Sequence, residues 1–449
     1  NMYAKLRGFH LTSGNTALAI HGMRSEDAEK GSTLSDGAAT GKMFDDFEYL
    51  ASNGMIKSYW NENYSLIHKV NDLLDEMSQN PSLTEGDLVN KGEALFVRAF
   101  CYFNLVRAFG EVPLIDFKVY DAAEANVPKS SVAKIYELID SDLTEAENSL
   151  PRTWEKLYIG RLTWGAARSL HARTYMMRND WGNMKAAAEE VINSGLYNLK
   201  TPYDKIFTED GENSSESVFE VQCEHNIYYG REIGSQYAQV QGIRGPLDYG
   251  WGFNTPSKAL YEAYEAGDPR KAATIMERGA TLEDGVKIPS GAPNAYYNKK
   301  VYPWLAEQTK PNRNFNSYWY FGAWINIRLM RYADVVLMNA EAANEIGGEK
   351  MIDEALEKLE MVRNRARGGN PDILPKVTTR NQAELRDKIR FERRIELAME
   401  HERYFDIVRW GIAGDVLGTK WIPGKHELFP IPQEQIDLSN HILTQNPGY

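Results

Sequence analysis

The chain has 449 residues, 43% of them hydrophobic and 25% charged, a balance that sustains a sizeable core and excludes wholesale disorder. Its 51 basic and 63 acidic residues leave a net charge of -12 and an isoelectric point near 5.3, which argues against non-specific nucleic-acid binding. No stretch approaches the roughly 18 consecutive apolar residues of a membrane span, and "NMYAKLRGF" carries no signal-peptide pattern, so localisation is not readable from the first residues.

In chain order, residues 56–79 repeat apolar side chains at helical spacing, with Trp60, Tyr64, Ile67, Asn71 and Leu74 on one face. Asn71 on that face predicts a buried polar contact. A second helix over 86–109 carries two stripes, Leu95, Ala99, Tyr102, Val106 and Phe109 on one and Phe96, Phe100 and Phe103 on the other, so it must lie centrally. Cys101 falls inside it as a small buried hydrophobe; with Cys223 it makes up the cysteine complement, and neither fits a CxxC metal or redox motif. A further helix covers 131–149.

Two later stretches read as helix-turn-helix units. In 162–197, Gly165, Ala166 and Ala172 permit close helix contact, Trp181, Met184, Ala188 and Val191 line the partner face, and Gly195 is a natural C-cap. The second unit is "IRLMRYADVVLMNAEAANEIGG" with "EKMIDEALEKLEMVRNRARGG", turning at Gly347 and Gly348. Each occupies about 34 residues, the period of tetratricopeptide repeats, and adding 381–410 gives helices for about four pairs. The expectation is a mainly α fold: a single body of residues 1–449 with a tetratricopeptide-like scaffold over 56–197 and 326–411. Residues 198–325 form an irregular, loop-rich insertion with short strands, "SVFEVQCEH" the best of them, and 412–449 an extended tail.

Searching for chemistry finds no HExxH, P-loop, GxSxG or zinc-spaced Cys/His cluster, so neither a cofactor nor a metal is expected. Gly250 and Gly252 in "DYGWGFNTP" read as a tight turn. Carboxylates paired in space for sugar hydrolysis are invisible in a sequence, so a carbohydrate-active hydrolase stays open. "FERRIELAMEHERYFDIVRWG" (391–411) is densely charged: Arg393, Glu396, Glu400 and Arg403 recur at three and four residues, so opposite charges meet along one helix face, and Asp406 meets Arg409. With Phe391, Ile395, Ala398, Phe405 and Val408 on another face, the stretch reads as structural bracing rather than catalysis.

The same stretch resembles the C-terminal signature of the SusD/RagB family through Arg393, Arg394, Glu396, Leu397, Glu402, Arg403, Asp406, Arg409, Trp410 and Gly411. The resemblance extends, in order, to "KGEALFVRAFCYFNLVRAFGEVPLI", "GWGFNTPSKALYEAYEAGDPRKAA", "IRLMRYADVVLMNAEAANE" and the ending "LFPIPQEQIDLSNHILTQNPGY", covering essentially the whole chain. It implies a lid on a SusC-like TonB-dependent barrel, outside a Gram-negative outer membrane, that captures a glycan for import and performs no chemistry. A lipidated cysteine upstream is implied by the resemblance alone.

Residues 296–324 hold ten aromatics in twenty-nine positions against a chain average of 11%. Trp304, Trp319, Tyr318 and Tyr296 offer flat faces for sugar C–H groups, and Asn314, Asn316 and Arg313 offer hydroxyl contacts. Arg24, Glu26 and Asp27 in "HGMRSEDAEKGS" and Tyr228 and Tyr229 in "HNIYYGREIG" complete the candidates, while Trp60, Trp251 and Trp410 are assigned to packing. A tetratricopeptide-type adaptor binding only protein is the third reading; it requires those aromatics to be buried and a helix-lined groove to be exposed.

Overall fold

A computed structural model describes residues 2–37, 42–225, 233–245, 247, 249–310, 313 and 321–449. Eight long helices carry the frame: α1 (Gly54–Ser78), α2 (Glu85–Phe109), α3 (Val132–Ser149), α4 (Trp164–Met177), α5 (Trp181–Asn193), α6 (Tyr332–Ile346), α7 (Glu349–Arg367) and α8 (Gln382–Glu396). Each packs on its successor, as expected of a solenoid of helix pairs. Their starts are set locally. Asn53 accepts from the N–H groups of Met55 and Ile56, and Thr84 and Asp87 form a reciprocal capping box. Gly347 and Gly348, both at positive φ, turn α6 into α7.

Helix α2 is central, as its two stripes require: every residue from Gly92 to Phe109 is buried. Asn71 of α1 is buried, donates to the Ile115 and Phe117 carbonyls and accepts from Arg98, whose guanidinium also grips Asp142 of α3 at 2.7 and 2.8 Å. Trp60 is buried against Phe109, whereas Trp251 and Trp410 are half-buried and packed.

Strands are short and paired two by two, antiparallel: β1 (Ala28–Gly31) with β3 (Phe253–Pro256), β2 (Ser217–Val221) with β6 (Ile327–Arg331), β4 (Ile275–Glu277) with β5 (Tyr296–Asn298), and a two-residue pair of Val112–Pro113 with Lys129–Ser130. Strand β2 lies within the stretch expected to be extended. Residues 327–331, expected to open a helix, form β6 instead, because pairing with β2 holds them until Tyr332 starts α6. The insertion leaves after α5 and returns to α6, and α5 packs directly on α6, so the helical stack continues across it. The C-terminal tail, expected to be extended, includes short helices at Ala413–Leu417 and Gln433–Leu438.

The 391–411 stretch departs most from expectation. Helix α8 ends at Glu396, residues 397–402 are non-helical with Met399 and His401 at positive φ, and α9 (Arg403–Arg409) follows. The expected ladder along one face is therefore absent, because its charges point inward to partners far away in sequence. Arg393 donates to Asp406 at 2.8 Å and pairs with Asp334; Glu396 accepts from Arg270, Arg331 and Arg365; Glu400 takes Arg331 and Lys300, each at 2.6 Å; Arg403 holds Glu26. Only the Asp406–Arg409 pair follows the expected spacing. Burial would raise Glu396, but Arg365, Arg331 and Arg270 outweigh it and hold the carboxyl at about 2. Burial pulls Lys300 down to about 8 despite Glu400.

Candidate functional site

The insertion and residues 28–36 together build one face from three segments. Lys30 of β1 donates through Nζ to the carbonyls of Thr33 and Asp36, folding residues 32–36 into a tight loop. Asp36 accepts from Ser32 at 2.7 Å and pairs with Arg244 at 3.2 Å; the Ser32 hydrogen bond holds its carboxyl below the ordinary value. The Gly252 carbonyl accepts from Ser32 N–H at 2.5 Å and from the Asn294 amide at 3.4 Å, tying this loop to the other two segments. Gly252 is required there: at φ +73° a Cβ would meet that of Arg244 at 2.7 Å.

Two half-buried aromatic rings rise from this frame, each backed by a buried one. Tyr249 stacks on Phe321, centroids 4.5 Å apart and planes 17° apart; Trp304 meets the edge of Tyr302 at 5.3 Å. Both belong to the same small apolar cluster with Ile243, Met276 and Tyr297. Asp284 joins them, accepting from the Tyr302 hydroxyl at 3.0 Å and the Leu305 N–H at 3.1 Å, and after burial its charge is what raises the Tyr249 phenol. Lys299 lies 5.3 Å over the Trp304 ring and pairs with Glu283.

Tyr296 lies on the opposite face of β5 from Tyr297, because strand side chains alternate. It stacks on Tyr261 at 4.5 Å and packs with the cluster of Leu260 and Ile395, so it and Trp304 belong to different clusters. Three candidates are turned inward. The Arg24 guanidinium is fully buried between the rings of Tyr404 and Phe429, 3.8 and 3.9 Å from their centroids. Asp27 is buried against Arg394. Arg313 is buried, held by both oxygens of Glu209 at 2.6 and 2.8 Å and lying 4.2 Å over Trp324. Asp27 and Arg313 are spent on internal ion pairs, and Arg24 is enclosed by two rings with its Nε donating to the Ile20 carbonyl, so none of the three faces solvent. Trp319, Tyr318, Asn314, Asn316, Tyr228 and Tyr229 lie outside the described residues. Sequence reasoning missed Tyr249, Arg244, Asp36 and Asn294; "DYGWGFNTP" announced only a turn, although its Tyr carries the ring.

A second concavity, about 630 Å³, lies between α1, the 113–127 segment and the helix Gln433–Leu438, with His68, Lys69 and Asp72 on its wall. Among the described residues no helix is long and apolar enough to cross a membrane.

A helical solenoid interrupted by an insertion that presents supported aromatic rings defines a repeat scaffold carrying a separate aromatic face. The model of the SusD family matches residues 215–427, and a second model, described as "Starch-binding associating with outer membrane", matches residues 22–176. SusD-like protein P2 of Formosa agariphila is 30% identical over 433 residues, covering 88% of this chain and 81% of the relative. This chain belongs to the SusD family. Among solved structures, a laminarin-binding SusD-like protein superposes with a TM-score of 0.84 at 28% identity, covering 100% of this chain and 97% of the other. Surface glycan-binding protein A of Bacteroides thetaiotaomicron, solved with laminarihexaose, shares the fold at a TM-score of 0.80 and 23% identity, covering 99% and 97%.

Proposed function

We propose that this chain is a cell-surface glycan-binding protein that captures an oligo- or polysaccharide on its insertion face. It delivers the glycan to a SusC-like TonB-dependent outer-membrane barrel, is held at the Gram-negative surface by a lipid anchor upstream of Asn1, and needs no cofactor or metal. The observation that carries this reading is the pair of supported rings: Tyr249 is stacked on Phe321 and Trp304 is held by an edge contact with Tyr302, and both remain partly exposed. A pyranose ring stacks its C–H face on such surfaces with little side-chain ordering cost, because packing has already fixed the rotamers. Arg244, Asp36 and Asn294 beside them supply donors and acceptors for hydroxyls. The laminarin binding named for one solved neighbour and the starch-binding description of the second family model support a glucan as the first ligand to try.

The hydrolase reading loses ground at this face, where Asp36, Glu283 and Asp284 are engaged by Arg244, by Lys299 and by the Tyr302 hydroxyl. The adaptor reading has the 630 Å³ helix-lined groove in its favour, but Tyr249, Trp304 and Tyr296 are half-exposed.

Calorimetric titration of the intact protein with laminarin, starch and other plant and yeast oligosaccharides tests the proposal, alongside Tyr249→Ala and Trp304→Ala. Each variant is expected to lose roughly thirtyfold in affinity, about 2 kcal/mol, while keeping its thermal midpoint. Undiminished binding in both folded variants would remove the site from this face. Silence of the intact protein across the panel would favour the adaptor reading.

A further inference from the structure

On the helical body, the 152–163 loop, residues 196–197, the turn 213–215 and β2 enclose a separate pocket of about 250 Å³ that shares no lining residue with the Tyr249–Trp304 cluster. Its size falls just under the range of about 300–1,000 Å³ for drug-sized ligands, so it suits one sugar residue rather than a chain. Its wall is rich in hydroxyls: Thr163 and Tyr197, whose oxygens lie 3.3 Å apart, together with Ser215 and Ser217. The Ser214 Oγ at this wall is buried and has no hydrogen-bond partner within the described protein, a state that favours a ligand or water polar atom opposite it.

The charges around the pocket do not cancel. Arg161, lying 4.2 Å over Trp154, is held by Glu93 at 2.8 Å. Glu220 accepts from the Asn213 N–H and the Asn326 amide and lies 3.7 Å from Arg328. Arg152 lies 4.2 Å over Trp164, is exposed, and makes no ion pair among the described residues. In a chain of net charge -12, this leaves an uncompensated guanidinium at the lip of a hydroxyl-lined cavity. A guanidinium matches a carboxylate or sulfate in bidentate geometry, and the hydroxyls match a polyol ring.

We infer that this pocket is a second carbohydrate site, specific for a single sugar residue bearing an anionic group, with Arg152 as its counter-ion. The site acts independently of the insertion face: it engages acidic substituents of a glycan whose backbone is held elsewhere, or an acidic glycan on its own.

The test follows the indole N–H resonances of Trp154 and Trp164 in the full chain during titration with four probes: methyl glucuronide, glucose 6-sulfate, methyl glucoside and inorganic sulfate. The expected result is saturable shifts with one or both acidic sugars, and binding at least about tenfold weaker for the glucoside and for inorganic sulfate. Which acidic sugar binds more tightly identifies the substituent. Arg152→Ala is expected to weaken that binding at least about tenfold and Arg152→Lys to restore part of it, with thermal midpoints unchanged because the side chain is exposed. No shift with either acidic sugar, equal binding of the glucoside, equal binding of inorganic sulfate, or indifference to Arg152→Ala each overturns the inference. Repeating the titration in Trp304→Ala separates the two sites: the pocket's response persists there whether or not the insertion face binds glycan.

Discussion

The 391–411 hub and the insertion face both concentrate charged and aromatic side chains, yet they use them in opposite ways. At the hub, Glu396 meets Arg270, Arg331 and Arg365 in the interior, and nearly every donor and acceptor is taken by another part of the chain. At the face, Tyr249 and Trp304 remain partly exposed and the Arg244–Asp36 pair stays partly open to water. Saturation makes the first region a joint, since buried charges tolerate only one set of partners; incompleteness suits the second to the glycan proposed for it.

The sharpest way to break this contrast is Arg331→Met, which leaves Glu216, Glu396 and Glu400 short of a partner at once. Removing one member of a buried ionic set costs about 3–5 kcal/mol, and urea unfolding is expected to register that loss. A loss below about 1 kcal/mol, the level of a surface pair, would mean the hub is not a joint.

His401 provides the next test. Burial lowers its imidazole to about 4; the ring is largely enclosed, with Nε2 2.7 Å from the Tyr237 hydroxyl. Protons bind the unfolded chain more readily than the folded one between the ordinary value near 6.5 and about 4, so stability falls as pH drops through that window and the loss is complete below it. The loss from this one ring is on the order of 3 kcal/mol. His401→Asn, which tolerates the φ of +71°, is expected to flatten the pH dependence of unfolding there. An unchanged slope would assign the acid sensitivity elsewhere, to imidazoles such as His21, His225 or His426, which burial also lowers.

The smallest effect belongs to the face. Arg244→Ala removes a half-exposed ion pair and should cost at most about 1 kcal/mol of stability, while weakening glycan binding if the guanidinium meets hydroxyls. A large stability loss would move Arg244 from the binding face to the frame.

Much of the frame was legible because apolar periodicity is local. The double stripe of 86–109 announces a helix buried all round, and Asn71 announces its own buried contact. The partners of the hub charges were not legible: Glu396 is bound by residues 31, 65 and 126 positions away, and helical spacing alone suggested nearer ones. The same limit hid β6, whose run Ile327–Arg331 continues the apolar pattern of α6 and becomes a strand only because β2 lies beside it. At the face, composition pointed to Trp304 but passed over Tyr249, because a tyrosine between glycine-rich turns carries no sign of the Phe321 ring behind it. Arg24, Asp27 and Arg313 sit in polar, loop-like sequence, and sequence cannot distinguish a solvated arginine from one enclosed by two rings.

The direct packing of α5 on α6 has an evolutionary consequence. The strands by which the insertion departs and returns, β2 and β6, are hydrogen-bonded to each other, so its ends are clamped side by side whatever lies between them. Lengthening or replacing the intervening chain changes loop-closure entropy only with the logarithm of its length. Its loops can therefore be lengthened at little entropic cost, whereas Arg270 and Lys300, which enter the 391–411 hub from this segment, are tied to the frame and must persist in any descendant that keeps the joint.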